Sequence, residues 1–265
     1  MASFETLAGL ALDTELGSND SAVLFTTARR QHAINEGQRQ FADLTECAIR
    51  QSSVTVSSGS REFDLLSTAI LPGSSNAGFL RVASQGPALT ISDSNGNQQT
   101  IAGDRDFPQR DVPWLDAAEP GWRSTVCGVP SAWYLRRDAG TLNFGFNRPA
   151  DVSTAQTAEL IVPYVVNPSS MTASTDVPFS FAGVVRKDLQ PYHQALVHYA
   201  AHDLEKLRKD PDASDRQLQK FMGYVQRYIM AIKPKGMKTI RVARNYFGDA
   251  RGTREAGSPL APFWR

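Results

Sequence analysis

Three of the four histidines in this 265-residue chain, His193, His198 and His202, fall in one short stretch, so any chemistry written in the sequence has to pass through them. His198 and His202 are four residues apart and share one face of a helix, the spacing that helical zinc sites use. A metal-dependent hydrolase built on this pair needs a third ligand and a general base. The run His198-Tyr199-Ala200-Ala201-His202 instead has Tyr199 and Ala200 where a zincin places its glutamate. The plainer reading makes the three histidines polar flanks of a packed helix, or contacts at an intersubunit surface. Asp104-Arg105-Asp106 offers two carboxylates to a divalent cation with a nucleotide sugar, but paired acids in a loop between Gly and Pro read as solvated side chains. Cys47 has no base beside it in sequence and borders an apolar helical stripe, which predicts a buried, inert thiol. The phosphate-cradling Gly-x-x-x-x-Gly-Lys-Ser/Thr loop, the Gly-x-Ser-x-Gly elbow and a Gly-x-Gly-x-x-Gly turn are all absent from the chain. No enzyme activity, no cofactor and no metal are therefore expected.

The histidines lie on the most plainly helical stretch, Leu189 to Lys209. Pro191 sits in its first turn, where a missing N–H costs nothing. Tyr192, Leu196, Tyr199, Ala200, Leu204 and Leu207 recur at three and four, opposite Asp203, Glu205, Lys206, Arg208 and Lys209. A short helix is expected over 4–16 and a longer one over about 26–48, with Ile34, Phe41, Leu44 and Ala48 on its stripe. Gly37 costs about 1 kcal/mol relative to Ala inside a helix and so predicts close approach by another backbone. After Pro211, Ser214 or Asp215 is expected to cap a last helix striped with Leu218, Phe221, Met222, Val225, Ile229 and Ile232, ended by Lys233-Pro234.

From 52 to 166 the period changes to two. Val54, Val56, Phe63 and Leu65 around Ser58-Gly59 predict a hairpin over 52–66. Strands are expected at 79–83, at 88–92 with a return through Thr100 and Ile101 after Asn95-Gly96, at 132–136 paired with 141–146, and at 158–166. Asp111 to Glu119 reads as one or two helical turns capped by Asp111 and stopped by Pro120-Gly121. Helices, then strands, then helices, without strand-helix-strand repetition, make the class α+β. The expected architecture is an antiparallel helical bundle from both chain ends (residues 1–50 and 187–233). It carries an inserted antiparallel β-sandwich-like domain (51–186) and an extended basic C-terminal tail (234–265).

With 41% hydrophobic residues the chain has material for a sizeable core, and its net charge of +1 gives no global attraction to nucleic acid or membrane. The charge is uneven: 8 Lys/Arg against 2 Asp/Glu from Lys233 onward make a local +6, leaving −5 for residues 1–232. Two cysteines outside any Cys-x-x-Cys pair argue against a disulfide framework and fit a reducing compartment. No basic start with an apolar run, and no apolar segment near 18 residues, supports secretion or a membrane span. In the tail, Lys235, Lys238, Arg241 and Arg244 alternate with apolar residues, and Tyr246, Phe247, Phe263 and Trp264 follow. Aromatic side chains at this density predict docking onto a partner over mere solubilisation.

Taken in order, several motifs resemble the head-to-tail adaptor (connector, head-completion) proteins of tailed bacteriophages. They are Asn35-Glu36-Gly37-Gln38-Arg39-Gln40-Phe41-Ala42, the Val54/Val56 and Phe63/Leu65 hairpin directly after it, Leu115-Asp116-x-x-Glu119-Pro120-Gly121-Trp122-Arg123-Ser124, Gly128-Val-Pro-Ser-Ala-Trp133-Tyr134-Leu135, Leu142-x-Phe144-x-Phe146, and Tyr192-His193-Gln194-Ala195-Leu196-Val197-x-Tyr199-Ala200. The chain departs from them at Asn147-Arg148-Pro149, where a Pro-x-Pro is common, and in a longer tail. The resemblance implies a structural virion protein at the neck, made in the host cytoplasm. It implies a ring of copies, typically a dodecamer, beneath the portal. Its partners would be the portal protein, the next neck or tail protein and itself, with genomic DNA crossing the lumen without specific binding and no membrane involved. The eight tail residues named above are then the candidate contacts to portal or tail. Two alternatives stand beside this one: a tail-ring (tubular tail or gatekeeper) protein of a short-tailed phage, and a carbohydrate- or receptor-binding module stacking ligands on Trp114, Trp122 and Trp133.

Overall fold

The computed structural model describes residues 3–16, 25–65, 78–92, 95, 97–138, 141–152, 156–181 and 183–232. Five helices follow from local signals. The first, α1, runs through Phe4–Thr6, a π turn at Leu7–Ala11 and Leu12–Leu16, and Ser3 caps it by accepting from the Thr6 N–H. Helix α2 (Thr27–Thr45) is capped by the Thr26 hydroxyl and stops where Glu46 turns left-handed. Helix α3 (Val112–Ala118) is capped by Asp111 as expected, its side chain accepting from the Trp114 N–H. A 3-10 turn over Lys187–Tyr192 holds Pro191 and leads into α4 (His193–Arg208). Helix α5 (Pro211–Ile232) begins on its proline.

Two helical expectations change. Asp210, and neither Ser214 nor Asp215, caps α5 by accepting from the Ala213 N–H at 2.9 Å. Pro211 at the first helical position then costs nothing, and Ser214 is free to turn inward. Helix α4 is also not one-sided: from His193 to Glu205 nearly every residue is buried, Glu205 included, while Leu207 of the expected stripe is 48% exposed. Helices α1, α2 and α5 all pack on α4, and cover from several sides removes the polar face that one-sided packing requires.

Strand β8 (Thr157–Val166) organises the larger sheet. One edge pairs antiparallel along β1 (Ile49–Val56); the other pairs β4 (Ala88–Ser92) over its first half and β3 (Phe79–Val82) over its second. Strand β5 (Gln98–Ala102) adds to β4 as the expected hairpin return. A second sheet has the order β2 (Glu62–Asp64), β7 (Thr141–Phe146), β6 (Trp133–Asp138), and β9 (Ser180–Phe181) pairs with β10 (Val184–Val185). The expected hairpin over 52–66 does not form, because β1 joins β8 and β2 joins β7. The turn, closed by Ser60 N–H to Ser57 O with Gly59 at φ +79°, hands the chain from one sheet to the other. Eight paired residues along β8 outweigh the three that β2 could offer β1. The mixed composition, helices at both ends around antiparallel sheets, is α+β.

The second sheet depends on one missing side chain. A β-carbon at Gly145 would collide with Cζ of Tyr134, whose buried ring fills that space. Gly145→Ala is expected to lower the urea-unfolding free energy by about 1–3 kcal/mol, the usual range for overpacking; an unchanged unfolding midpoint contradicts this packing.

Candidate interaction site

The motif Asn35 to Ala42 lies on α2, and each part has a structural task. Gly37 admits α4: a β-carbon there would sit 3.2 Å from Tyr199 Cβ and 3.4 Å from the Leu196 carbonyl, as the sequence predicts. Asn35 and Gln38, with Gln31 one turn earlier, grip the extended segment that returns from β8. Gln31 and Asn35 side-chain amides both donate to the Met171 carbonyl, at 2.7 and 3.0 Å, and the Asn35 side-chain oxygen accepts from the Met171 N–H at 2.9 Å. Gln38 donates to the Ser169 carbonyl at 2.9 Å and accepts from the Phe179 N–H at 3.2 Å. That last bond holds Phe179, a fully buried residue, at φ +57°, a region bulky side chains avoid. On the outer side of the same strap, the N–H groups of Phe4 and Glu5 bond the carbonyls of Asp176 and Ser174. Sequence reasoning missed this clamp; its one legible signal is three amide side chains at 31, 35 and 38 on a face next to apolar positions.

Phe41 completes the motif. Its ring lies 5.2 Å from Phe179, 5.7 Å from Tyr192, 6.4 Å from Phe221 and 5.6 Å from Tyr228, so the strap, the 3-10 turn and α5 meet on one residue of α2. At the end of α2, Glu46 accepts from the Ser84 N–H and hydroxyl, and Arg81 pairs with both Asp43 and Glu46, which fastens β3 and its turn to the helix.

The motifs of the second sheet are equally structural. Trp122 donates its indole N–H to Asp116 at 2.8 Å, and this hydrogen bond, with Arg123 beside it, holds the Asp116 carboxyl below the usual range. Trp122 meets Tyr134 edge-on, and Tyr134 donates to Glu62 at 2.6 Å. Burial first, and Glu62 second, push the Tyr134 phenol well up. The Asn147 side-chain oxygen accepts from the N–H groups of Ser131 and Ala132, so the departure at Asn147 serves as a brace for the neighbouring loop. Trp122 and Trp133 are buried, and the exposed Trp114 has the Arg110 guanidinium 4.4 Å over its ring. The three tryptophans therefore do not form a stacking platform.

The histidines are corrected too. His193, His198 and His202 are each 6% exposed and belong to the protomer interior, not to an intersubunit surface. His198 Nδ1 lies 2.9 Å from Gln217 Oε1; since the Gln217 amide donates to Glu15 at 3.0 Å, its oxygen accepts and His198 donates. His202 Nδ1 donates to the Ser214 carbonyl at 2.9 Å. The pair at i and i+4 thus staples α4 to α5. Among the described residues no three His, Cys, Asp or Glu side chains group as ligands of one ion. Gly103–Asp106 is a single helical turn with Arg105 and Asp106 exposed. Cys47 is buried, as expected, and burial pushes its thiol up to about 11. The predicted contacts Lys235, Lys238, Arg241, Arg244, Tyr246, Phe247, Phe263 and Trp264 lie outside the described residues.

A family model described as SU10 adaptor protein matches residues 4–252 of the chain. The chain belongs to this family. The resemblance to phage head-to-tail adaptors, carried by the motifs whose tasks are set out above, is thereby shown at family level. No curated protein matches the chain. Among the described residues no helix is long and apolar enough to cross a membrane.

Two measurements follow from this geometry. Gln38→Ala leaves the Ser169 carbonyl and the Phe179 N–H without partners inside the protein; at about 1–3 kcal/mol for each buried orphan, a loss of roughly 2–4 kcal/mol is expected in denaturant unfolding, and a loss below 1 kcal/mol refutes the clamp. Burial holds all three α4 histidines below their ordinary pKa, His193 at about 4. Because folding favours the neutral form, the unfolded chain binds protons first, and stability present above about pH 6.5 is lost as pH falls. By pH 5, His193 alone removes about 2 kcal/mol. Urea midpoints at pH 7.5 and 5.0 should show this decrease, and His193→Gln should shrink it.

Proposed function

We propose that the chain is a structural protein of the virion neck, not an enzyme, whose copies form a ring beneath the portal, join capsid to tail and leave a passage for DNA. The family match across residues 4–252 carries this reading. The packing on Phe41 supports the proposed domain plan, a helical bundle of residues 1–50 and 187–233 with 51–186 inserted, because side chains from both chain ends converge there. The tail of residues 234–265 is then the arm that reaches a partner.

A conduit must not hold the DNA it passes. Each phosphate neutralised by a bound cation adds salt-sensitive affinity, and a ring repeats every such contact in every copy. Residues 1–232 carry −5 and meet this demand, whereas the +6 from Lys233 onward does not. The basic, aromatic tail is therefore assigned to an acidic or grooved surface of the portal, away from the lumen, with Tyr246, Phe247, Phe263 and Trp264 as its apolar anchors.

Electron microscopy of the purified chain, alone and with portal, tests the reading. Rings are expected for the full chain, and a version ending at Ile232 is expected to keep the ring while losing portal binding at least tenfold. A tail lying inside the channel against DNA overturns the assignment.

A further inference from the structure

Two of the three α4 histidines are covered by α5, and the third has a different cover. His198 Nδ1 donates to Gln217, and the His198 ring stacks on Tyr224, with centroids 5.7 Å apart and planes at 29°. His202 Nδ1 donates to the Ser214 carbonyl, and the Ser214 hydroxyl returns a bond to the His202 carbonyl at 3.0 Å. His193 instead lies 5.8 Å from the Phe179 ring of the strap. Ser214, Gln217 and Tyr224 all belong to α5. Lifting that one helix would bare His198 and His202 to water and leave Phe179 over His193.

Helix α5 is built to lift as a body. Its buried line is Ser214, Gln217, Phe221, Val225 and Tyr228, and its other residues are exposed or half-buried, whereas α4 is buried on nearly every side. Elements held along one side open at a lower free energy than the core they cover. The turn before α5 has the form of a hinge: Lys209, at φ +61°, ends α4, and Pro211 starts α5. A change of a few backbone angles there moves the whole helix.

The charges around the two rings do not offset their burial. His198 faces Glu15 of α1 at 3.8 Å and Lys220 of α5, which is bound to the same carboxylate at 2.9 Å. His202 faces Lys206 and Asp203 of its own helix and Asp215 of α5. Burial outweighs the Gln217 bond and Glu15 at the first ring, and the Ser214 bond and the two aspartates at the second, with Lys220 and Lys206 acting alongside burial. Both rings are therefore neutral while α5 is closed.

We propose that α5 is a latch that opens from α4 as a unit on the Lys209–Pro211 turn, and that protons taken up by His198 and His202 hold it open. This inference is independent of the neck reading. The open form binds protons that the closed form excludes, so closure is complete above about pH 6.5 and weakens as pH falls. Between pH 7.5 and 5.5 each histidine raises the opening constant by at most about tenfold.

Amide hydrogen exchange of the full chain at the two pH values, read as protection factors, tests the latch. At pH 7.5 the α5 amides are expected to be at least tenfold less protected than those of α2 and α4, and at pH 5.5 to lose a further factor of about three to a hundred. His193→Gln is expected to leave that further loss unchanged, and the double variant His198→Gln, His202→Gln to remove it. Near-ultraviolet circular dichroism shows whether the double variant folds; if it does not, the unaltered chain and His193→Gln decide. Protection of α5 equal to that of α2 and α4 at both pH values overturns the latch. So does an α5 that keeps its protection in acid, a loss that His193→Gln abolishes, or a loss that a folded double variant retains.

Discussion

The close approach of α2 and α4 at Gly37 is the constraint on which the rest of the structure depends. With no side chain at that position, Tyr199 Cβ and the Leu196 carbonyl lie 3.2 and 3.4 Å from where a β-carbon would sit, and the two helices meet closely. This brings Phe41, one turn further along α2, to the point where the strap, the 3-10 turn before α4 and α5 converge. Aromatic pairs at such distances contribute about 0.5–1.5 kcal/mol each beyond the area they bury. The cluster is therefore a joint between the first fifth and the last two fifths of the chain.

Polar groups do an unusual share of the fastening. The strap from Ser169 to Phe179 has no ladder partner among the described strands, so its backbone groups are met by amide side chains of α2. The same device recurs at Glu46 for the turn after β3, at Asn147 for the loop before β6, and at His198 and His202 between α4 and α5. Buried polar groups satisfied on every side fix a unique arrangement. That arrangement ties the neutral state of the histidines to the integrity of the helical part.

The motifs that carry the family resemblance prove to be packing and fastening motifs. Asn35, Gly37, Gln38 and Phe41 build the joint; Asp116, Trp122, Tyr134 and Gly145 build the second sheet and its flanking turn.

By itself the sequence determined the kind of each long element, because that is set by local period, whereas the short turn at Gly103–Asp106 and the two-residue strands β9 and β10 carry no such period. The 3.6-residue stripes, the alternation from 52 to 166, Asp111 before α3 and Gly37 inside α2 were all legible in it. It did not determine which strand pairs with which, because alternation shows a face and not a partner. The long ladder along β8 drew β1 away from its neighbour in sequence. Nor did it determine what the histidines do: spacing of four places two side chains on one face, whether that face holds a metal, a neighbour or another helix. Only when α5 packs across α4, with Gln217 and Ser214 opposite His198 and His202, does burial choose among these.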